Sequence, residues 1–276
     1  MNSNLQTKFA SVQGIDMAYI DAGEGPAVLL LHGYPFDKSM WSEQIEMLAA
    51  KGFRAVAPDL RGLGETKSST EVSTMDDMAR DAAALLDQLK VDQAVVCGLS
   101  MGGYVAFEFA RLFPTRVRGL VLAGTRAPAD NEQEKSGREQ QVQTMLHAGM
   151  VPISIATLPK LLAAKTLAGK PDVVKHVRKM ITQSDPKGAA AAQRGMAARR
   201  DYAEDLSQIK VPTLVIVGRE DSIRPVSDAE FMHEGIPNSQ LEIIEDAAHM
   251  TNVEQPEEFN GVLIDFLRNN VSEARP

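Results

Sequence analysis

The chain has 276 residues, 44% apolar and 24% charged, a balance that suits a soluble globular protein with room for a sizeable core. Its net charge of −8 argues against nucleic acid or an anionic membrane as the main partner, because both need clustered lysine and arginine. Cys97 is the single cysteine, so no intramolecular disulfide forms, and no apolar run approaches the roughly 20 residues needed to span a bilayer.

The predicted elements alternate strand and helix. Residues 8–12 and 15–20 read as two short strands joined at Gly14, a hairpin at a sheet edge. Residues 27–31 form a continuous apolar run, the pattern of a central strand buried on both faces. Residues 41–50 have helical spacing, 54–57 a strand, 75–89 a helix after Ser73-Thr74, 94–97 a strand, 103–112 a helix and 119–122 a strand. Two more strands, 212–217 and 241–244, follow with a helix between them, and an amphipathic helix over 257–267 closes the series. Repeated strand–helix units imply a mostly parallel sheet covered by helices on both faces.

Residues 126–205 differ. They carry Gln, Lys, Ala and Met at helical spacing, punctuated by Pro152, Pro159, Pro171 and Pro186, with no strand pattern. About four helices are expected there, inserted near the C-terminal ends of parallel strands, where such folds bind ligands. The expected organisation is one domain, with a core of residues 1–125 and 206–276 and a helical lid over 126–205.

Gly98-Leu99-Ser100-Met101-Gly102-Gly103 follows a predicted strand and precedes a predicted helix, the context in which Gly-x-Ser-x-Gly forms a nucleophile elbow. A serine hydroxyl needs a base, and the base needs an orienting acid. Of five histidines, His147, His176 and His233 fall in polar helical surroundings, whereas His249 lies in a loop past the strand 241–244. Asp221, just past the strand 212–217, is the expected acid; Asp246 and Asp130 compete for that role. Two backbone donors are expected for an oxyanion: the Met101 N–H at the start of the following helix and the Tyr34 N–H in the loop His32-Gly33-Tyr34-Pro35-Phe36, where Pro35 has no N–H to give. His32 reads as a residue that orients this loop. Phe36, Met145, Met150 and Met250 are the candidate substrate-binding residues. Gly62-Leu63-Gly64-Glu65-Thr66-Lys67-Ser68 fails as a phosphate loop, since Thr66 stands where glycine is needed. No spacing of Cys, His or carboxylates suggests a metal site, and no cofactor is expected.

Together His32-Gly33-Tyr34-Pro35, Pro58-Asp59-Leu60-Arg61-Gly62-Leu63-Gly64, the serine motif, Gly218-Arg219-Glu220-Asp221 and Asp246-Ala247-Ala248-His249 resemble the α/β-hydrolase superfamily over residues 10–268. The order Ser…Asp…His is that superfamily's order. Residues 193–201 resemble its esterase and 3-oxoadipate enol-lactonase branch in particular. One departure is Thr66, where the turn usually carries serine. The resemblance implies an α/β-hydrolase fold and a serine hydrolase acting on a small-molecule carboxylic ester, or alternatively on an enol-lactone. For a carboxylate on such a lactone, Arg126, Arg138 and Arg194 are candidate partners. A ligand receptor on the same scaffold is the reading of a different class, and repeated turnover separates the two. The absence of an apolar signal core in residues 1–8, with the lone cysteine, makes the cytoplasm the expected location; the sequence is silent on oligomeric state.

Overall fold

Gln13 and Gly14 both carry positive φ (45° and 79°), the geometry that lets a two-residue turn follow the right-handed twist of its strands. They join β1 (Lys8–Val12) to β2 (Ile15–Ala22) in an antiparallel hairpin whose register pairs Val12 with Ile15. In the computed structural model, which describes residues 5–270, this hairpin is one edge of an eight-stranded sheet ordered β1-β2-β4-β3-β5-β6-β7-β8. Residues 1–4, part of the N-terminal stretch considered above, lie outside the described residues. From β4 (Arg54–Pro58) and β3 (Ala27–Leu31) through β5 (Ala94–Leu99), β6 (Val117–Ala123), β7 (Thr213–Gly218) and β8 (Ser239–Ile244) all neighbours run parallel. Every residue of β3, β5 and β7 is buried, whereas β8, at the far edge, alternates. That contrast follows from position: helices cover both faces of a central parallel strand.

The covering helices pack in pairs. α1 (Ser42–Ala50) packs with α11 (Pro256–Asn270), and the ring of Trp41, just before α1, lies 6.0 Å from that of Phe259. α2 (Met75–Gln88) packs with α3 (Met101–Leu112). Thr74 and Asp77 form a reciprocal capping box at the start of α2, which satisfies two otherwise unpaired amides and fixes where that helix begins.

Between β6 and β7 the chain forms five α-helices, one more than the sequence pattern predicts: α4 (Glu132–Ala148), α5 (Met150–Leu161), α6 (Ala164–Gly169), α7 (Pro171–Gln183) and α8 (Pro186–Ala197). The prolines explain the difference. Pro171 and Pro186 open α7 and α8, where a missing N–H costs nothing, but Pro152 and Pro159 lie within α5 and do not punctuate it. The extra element is the six-residue α6, too short to show a period in sequence. Two further helices, α9 (Val226–Gly235) and the short α10 (Thr251–Glu254), flank β8. Among the described residues, no helix is long and apolar enough to cross a membrane.

Candidate active site

The turn from β5 into α3 has no room to spare. A Cβ on Gly98 would lie 2.1 Å from the Gly102 carbonyl oxygen, and one on Gly102 would lie 2.0 Å from that of Leu31. Ser100 between them sits at φ 55°, ψ −111°, a conformation that costs an ordinary residue about 1–3 kcal/mol and persists only where its surroundings enforce it. Here the Ser100 N–H donates to Ala123 O at 2.9 Å, and the Thr125 hydroxyl donates to Ser100 O at 2.9 Å. The helix starts at Met101, two residues earlier than its apolar pattern suggests, because the elbow itself supplies the first turn.

β8 and β7 deliver the other two groups. His249, 2% exposed, brings Nδ1 to 2.8 Å from Asp221 Oδ2. The other Asp221 oxygen accepts the N–H groups of Ile223 (2.8 Å) and Arg224 (2.9 Å). With Oδ1 already accepting two amides, Asp221 serves as an acceptor, and a carboxylate oxygen facing Nδ1 favours the tautomer with its proton there and Nε2 left as an acceptor. Of the competing acids, Asp246 pairs at the surface with Lys165, and Asp130 is enclosed by arginines. His147 is exposed, His176 half-buried on α7, and His233 faces Ser239.

His32 is buried with both ring nitrogens engaged, Nδ1 against Gly33 O at 2.8 Å and Nε2 accepting the Leu60 N–H at 2.9 Å. Burial pushes its pKa down, so it stays neutral and anchors the 32–36 loop to the loop after β4. That second loop tolerates Thr66 for a visible reason: its buried hydroxyl accepts the Ala18 N–H at 2.9 Å, a bond serine can also make. Met101, buried, stands at the N-terminus of α3, and the half-buried Tyr34 lies in the loop after β3.

Ser100, His249 and Tyr34 line one cavity of about 420 Å³, and residues of α4, α5 and α8 share its lining. None of Phe36, Met145, Met150 and Met250 is in its lining. Phe36 borders a separate cavity beside Lys38 and α7. Met145 sits behind the wall, its sulfur accepting the Tyr34 hydroxyl at 3.7 Å, and Met150 and Met250 are packed in the core. Helix packing buries these methionines; the apolar lining comes instead from Pro35, Leu161, Met196 and Ile223.

The polar wall is what sequence reasoning largely missed. Tyr104, Thr157, Gln141, Gln193, Glu134, Asp130, Arg138 and Arg224 all face the cavity. Two of these carried a signal: Tyr104 lies one helical turn after Ser100, and Arg224 lies three residues after Asp221. Asp130 is 5% exposed and contacts Arg126 (2.8 Å), Arg199 (2.7 Å) and Arg138. Burial alone would raise its pKa, but the bonds and charges of Arg138 and Arg199 outweigh that and hold it at about 2. Of the three arginines singled out above, Arg138 lines the cavity, Arg126 stands against Asp130 and Glu134, and Arg194 reaches toward Glu139 and Glu71, outside the lining. Among the described residues, no group of three or more His, Cys, Asp or Glu side chains is arranged to hold a metal ion.

A family model described as "alpha/beta hydrolase fold" matches residues 26–256. The chain is 31% identical over 252 residues to 3-oxoadipate enol-lactonase 2 of Acinetobacter baylyi, covering 91% of this chain and 92% of that protein. Among solved structures, a thermophilic esterase from Thermogutta terrifontis aligns with a TM-score of 0.92 and 39% identity, over 96% of this chain and 98% of its own. The enol-lactonase from Burkholderia xenovorans LB400 aligns with a TM-score of 0.87 and 28% identity, over 95% and 100%. A strained serine between strand and helix, a histidine oriented by an acid beyond later strands, and these likenesses along nearly the whole chain have one explanation: the protein belongs to the α/β-hydrolase family, in the branch that holds esterases and enol-lactonases.

Proposed function

We propose that this protein is a serine hydrolase that cleaves small to medium carboxylic esters through an acyl-enzyme on Ser100. The observation that carries this reading is the 2.8 Å contact of His249 Nδ1 with the Asp221 carboxylate, with His249 and Ser100 lining the same cavity. His249 Nε2 takes the Ser100 proton as Oγ attacks the ester carbonyl, and Asp221 stabilises the imidazolium without itself taking a proton. The tetrahedral oxyanion is held by the N–H groups of Tyr34 and Met101, each contributing about 3 kcal/mol to lowering the barrier. His249 then protonates the leaving alcohol, and water deacylates the enzyme by the same steps. An enol-lactone is attacked in the same way, and the likeness to two enol-lactonases favours it as the second reading. Residues 126–205 act as the lid that selects the substrate, a reading supported by α4, α5 and α8 lining the cavity. The lone, fully buried thiol of Cys97 fits a cytoplasmic setting.

The test is steady-state hydrolysis of p-nitrophenyl esters of graded acyl length beside an enol-lactone, with wild type and Ser100→Ala. Repeated turnover by wild type and its loss in a folded Ser100→Ala is the expected result. Substantial residual turnover in the variant rejects Ser100 as nucleophile, and a single-turnover wild type supports a receptor instead.

A further inference from the structure

The pattern Gly-x-Ser-x-Gly asks for no glycine at 103, yet Gly103 is fixed by a close contact. A Cβ there would lie 2.5 Å from the Thr125 hydroxyl oxygen and 2.6 Å from the Thr125 Cβ. Thr125 stands just past the end of β6. That strand carries none of Ser100, Asp221 and His249, but it lies between β5 and β7, the strands that precede the first two. Its end meets all three groups. Ala123 O accepts the Ser100 N–H at 2.9 Å, and the Thr125 hydroxyl donates to Ser100 O at 2.9 Å. Gly124 between them, at φ 48°, passes close to the base and the acid: a Cβ would stand 3.4 Å from His249 Nδ1 and 3.5 Å from Asp221 Oδ2.

The carbonyl that Thr125 engages belongs to the same peptide unit as the Met101 N–H. That unit is planar, so whatever holds the Ser100 oxygen also sets the direction of the N–H. Ser100 O accepts three donors: the Thr125 hydroxyl, the Gly103 N–H at 2.9 Å and the Tyr104 N–H at 3.3 Å. The two amides come with the first turn of α3; the hydroxyl is the donor that a side chain supplies. A hydrogen bond to an amide oxygen draws electron density from its nitrogen and makes its N–H a stronger donor. Little water is present to dilute the effect, since Thr125 is 2% and Met101 0% exposed. With Ser100 at φ 55° and ψ −111°, the peptide also has to be held against relaxation to ordinary backbone angles.

We propose that Thr125 is a positioning residue for the oxyanion: through the Ser100–Met101 peptide, its hydroxyl aims and strengthens the Met101 N–H. This rests on the ester-hydrolase reading above and adds to it a group that never touches the substrate. The Met101 N–H matters most as negative charge develops on the carbonyl oxygen, so the contribution of Thr125 belongs to the transition state and not to substrate binding. Gly103 leaves the space that this side chain occupies.

The test compares Thr125→Val, which keeps the shape and removes the donor, with Thr125→Ser, which keeps the donor. Two readouts are used: steady-state hydrolysis of p-nitrophenyl acetate and inhibition by 2,2,2-trifluoroacetophenone. With that ketone Ser100 Oγ adds to the carbonyl carbon, the serine proton passes to His249 and the carbonyl oxygen becomes the oxyanion, with no group leaving. Acetophenone, which stays trigonal, is the control for ground-state binding. In Thr125→Val kcat is expected to fall about tenfold with KM within about twofold, and the inhibition constant of the trifluoro ketone to rise about tenfold while that of acetophenone stays in place. Thr125→Ser is expected to restore both. Should the valine variant not fold, Thr125→Ala gives the same reading. Wild-type kcat in a folded valine or alanine variant, equal weakening of both ketones, or a loss that serine does not restore overturns the proposal. Turnover surviving in Ser100→Ala removes the ester-hydrolase reading itself. An inactive Ser100→Ala beside a Thr125→Val of wild-type rate removes only the role of Thr125, so the two fail separately.

Discussion

The carbonyl of Leu161, the last residue of α5, accepts the backbone N–H of His249 at 3.1 Å. It also accepts that of Met250 at 3.2 Å, and the buried Glu254 reinforces the same junction. One Glu254 oxygen takes the Ala163 N–H at 2.6 Å and the other takes the Ala248 N–H at 2.8 Å. The helices above the cavity are thereby fastened to the loop that carries the histidine. In Glu254→Ala two buried amides lose their acceptor, which should destabilise the protein by about 3 kcal/mol by chemical denaturation. Glu254→Gln keeps one acceptor oxygen and should lose about half as much. If the fastening also orients His249, kcat falls in both variants more than KM changes.

Asp221→Asn should lower kcat about 10⁴-fold, because an amide at that position favours the wrong imidazole tautomer. Asp246→Asn is the control. That carboxylate pairs with Lys165 at the surface, where such pairs contribute at most about 1 kcal/mol, so ester hydrolysis should change less than about twofold. The reverse pattern in steady-state rates would reassign the acid.

Chain-length selectivity should follow the cavity lining. Met196→Ala removes part of the apolar wall and is expected to move the acyl-length optimum toward longer chains. Met150, 4% exposed and outside the lining, should leave that optimum in place when changed to leucine. A graded series of p-nitrophenyl esters measures both, and an unmoved optimum in Met196→Ala would assign chain length to another wall.

Asp130 makes stability depend on acid. Its folded-state pKa of about 2 lies below the ordinary carboxylate value of 3.8, so the ionised form is favoured by the fold. That contribution, about 2 kcal/mol, is present above the unfolded pKa and disappears as pH falls from about 4 through about 2. Asp130→Asn lacks it. Urea denaturation at pH 7 should therefore separate wild type from variant, and the gap should narrow steadily as the pH is lowered through that range.

The strands were legible in sequence because burial on both faces leaves continuous apolar runs, as in residues 27–31, and the hairpin because Gly14 permits the turn. The elbow was equally legible: Gly98 and Gly102 are dictated by backbone contacts a few residues away and across one neighbouring strand. The number of helices between β6 and β7 was not, since Pro152 and Pro159 lie within α5 without ending it and a six-residue helix has no period to detect.

By itself, then, the sequence determined the fold and the groups proposed for bond cleavage, Ser100, Asp221 and His249. Each lies in a short segment tied to a strand end, so chain order alone narrows where it can stand. The tertiary structure decided what surrounds them. Tyr104, Arg138, Arg224 and Met196 meet in one cavity from α3, α4, the loop after β7 and α8, whereas Met145 and Met150 turn into the core. Helical periodicity tells which side of a helix is apolar, but only packing against other helices determines whether that side meets the core or the substrate cavity.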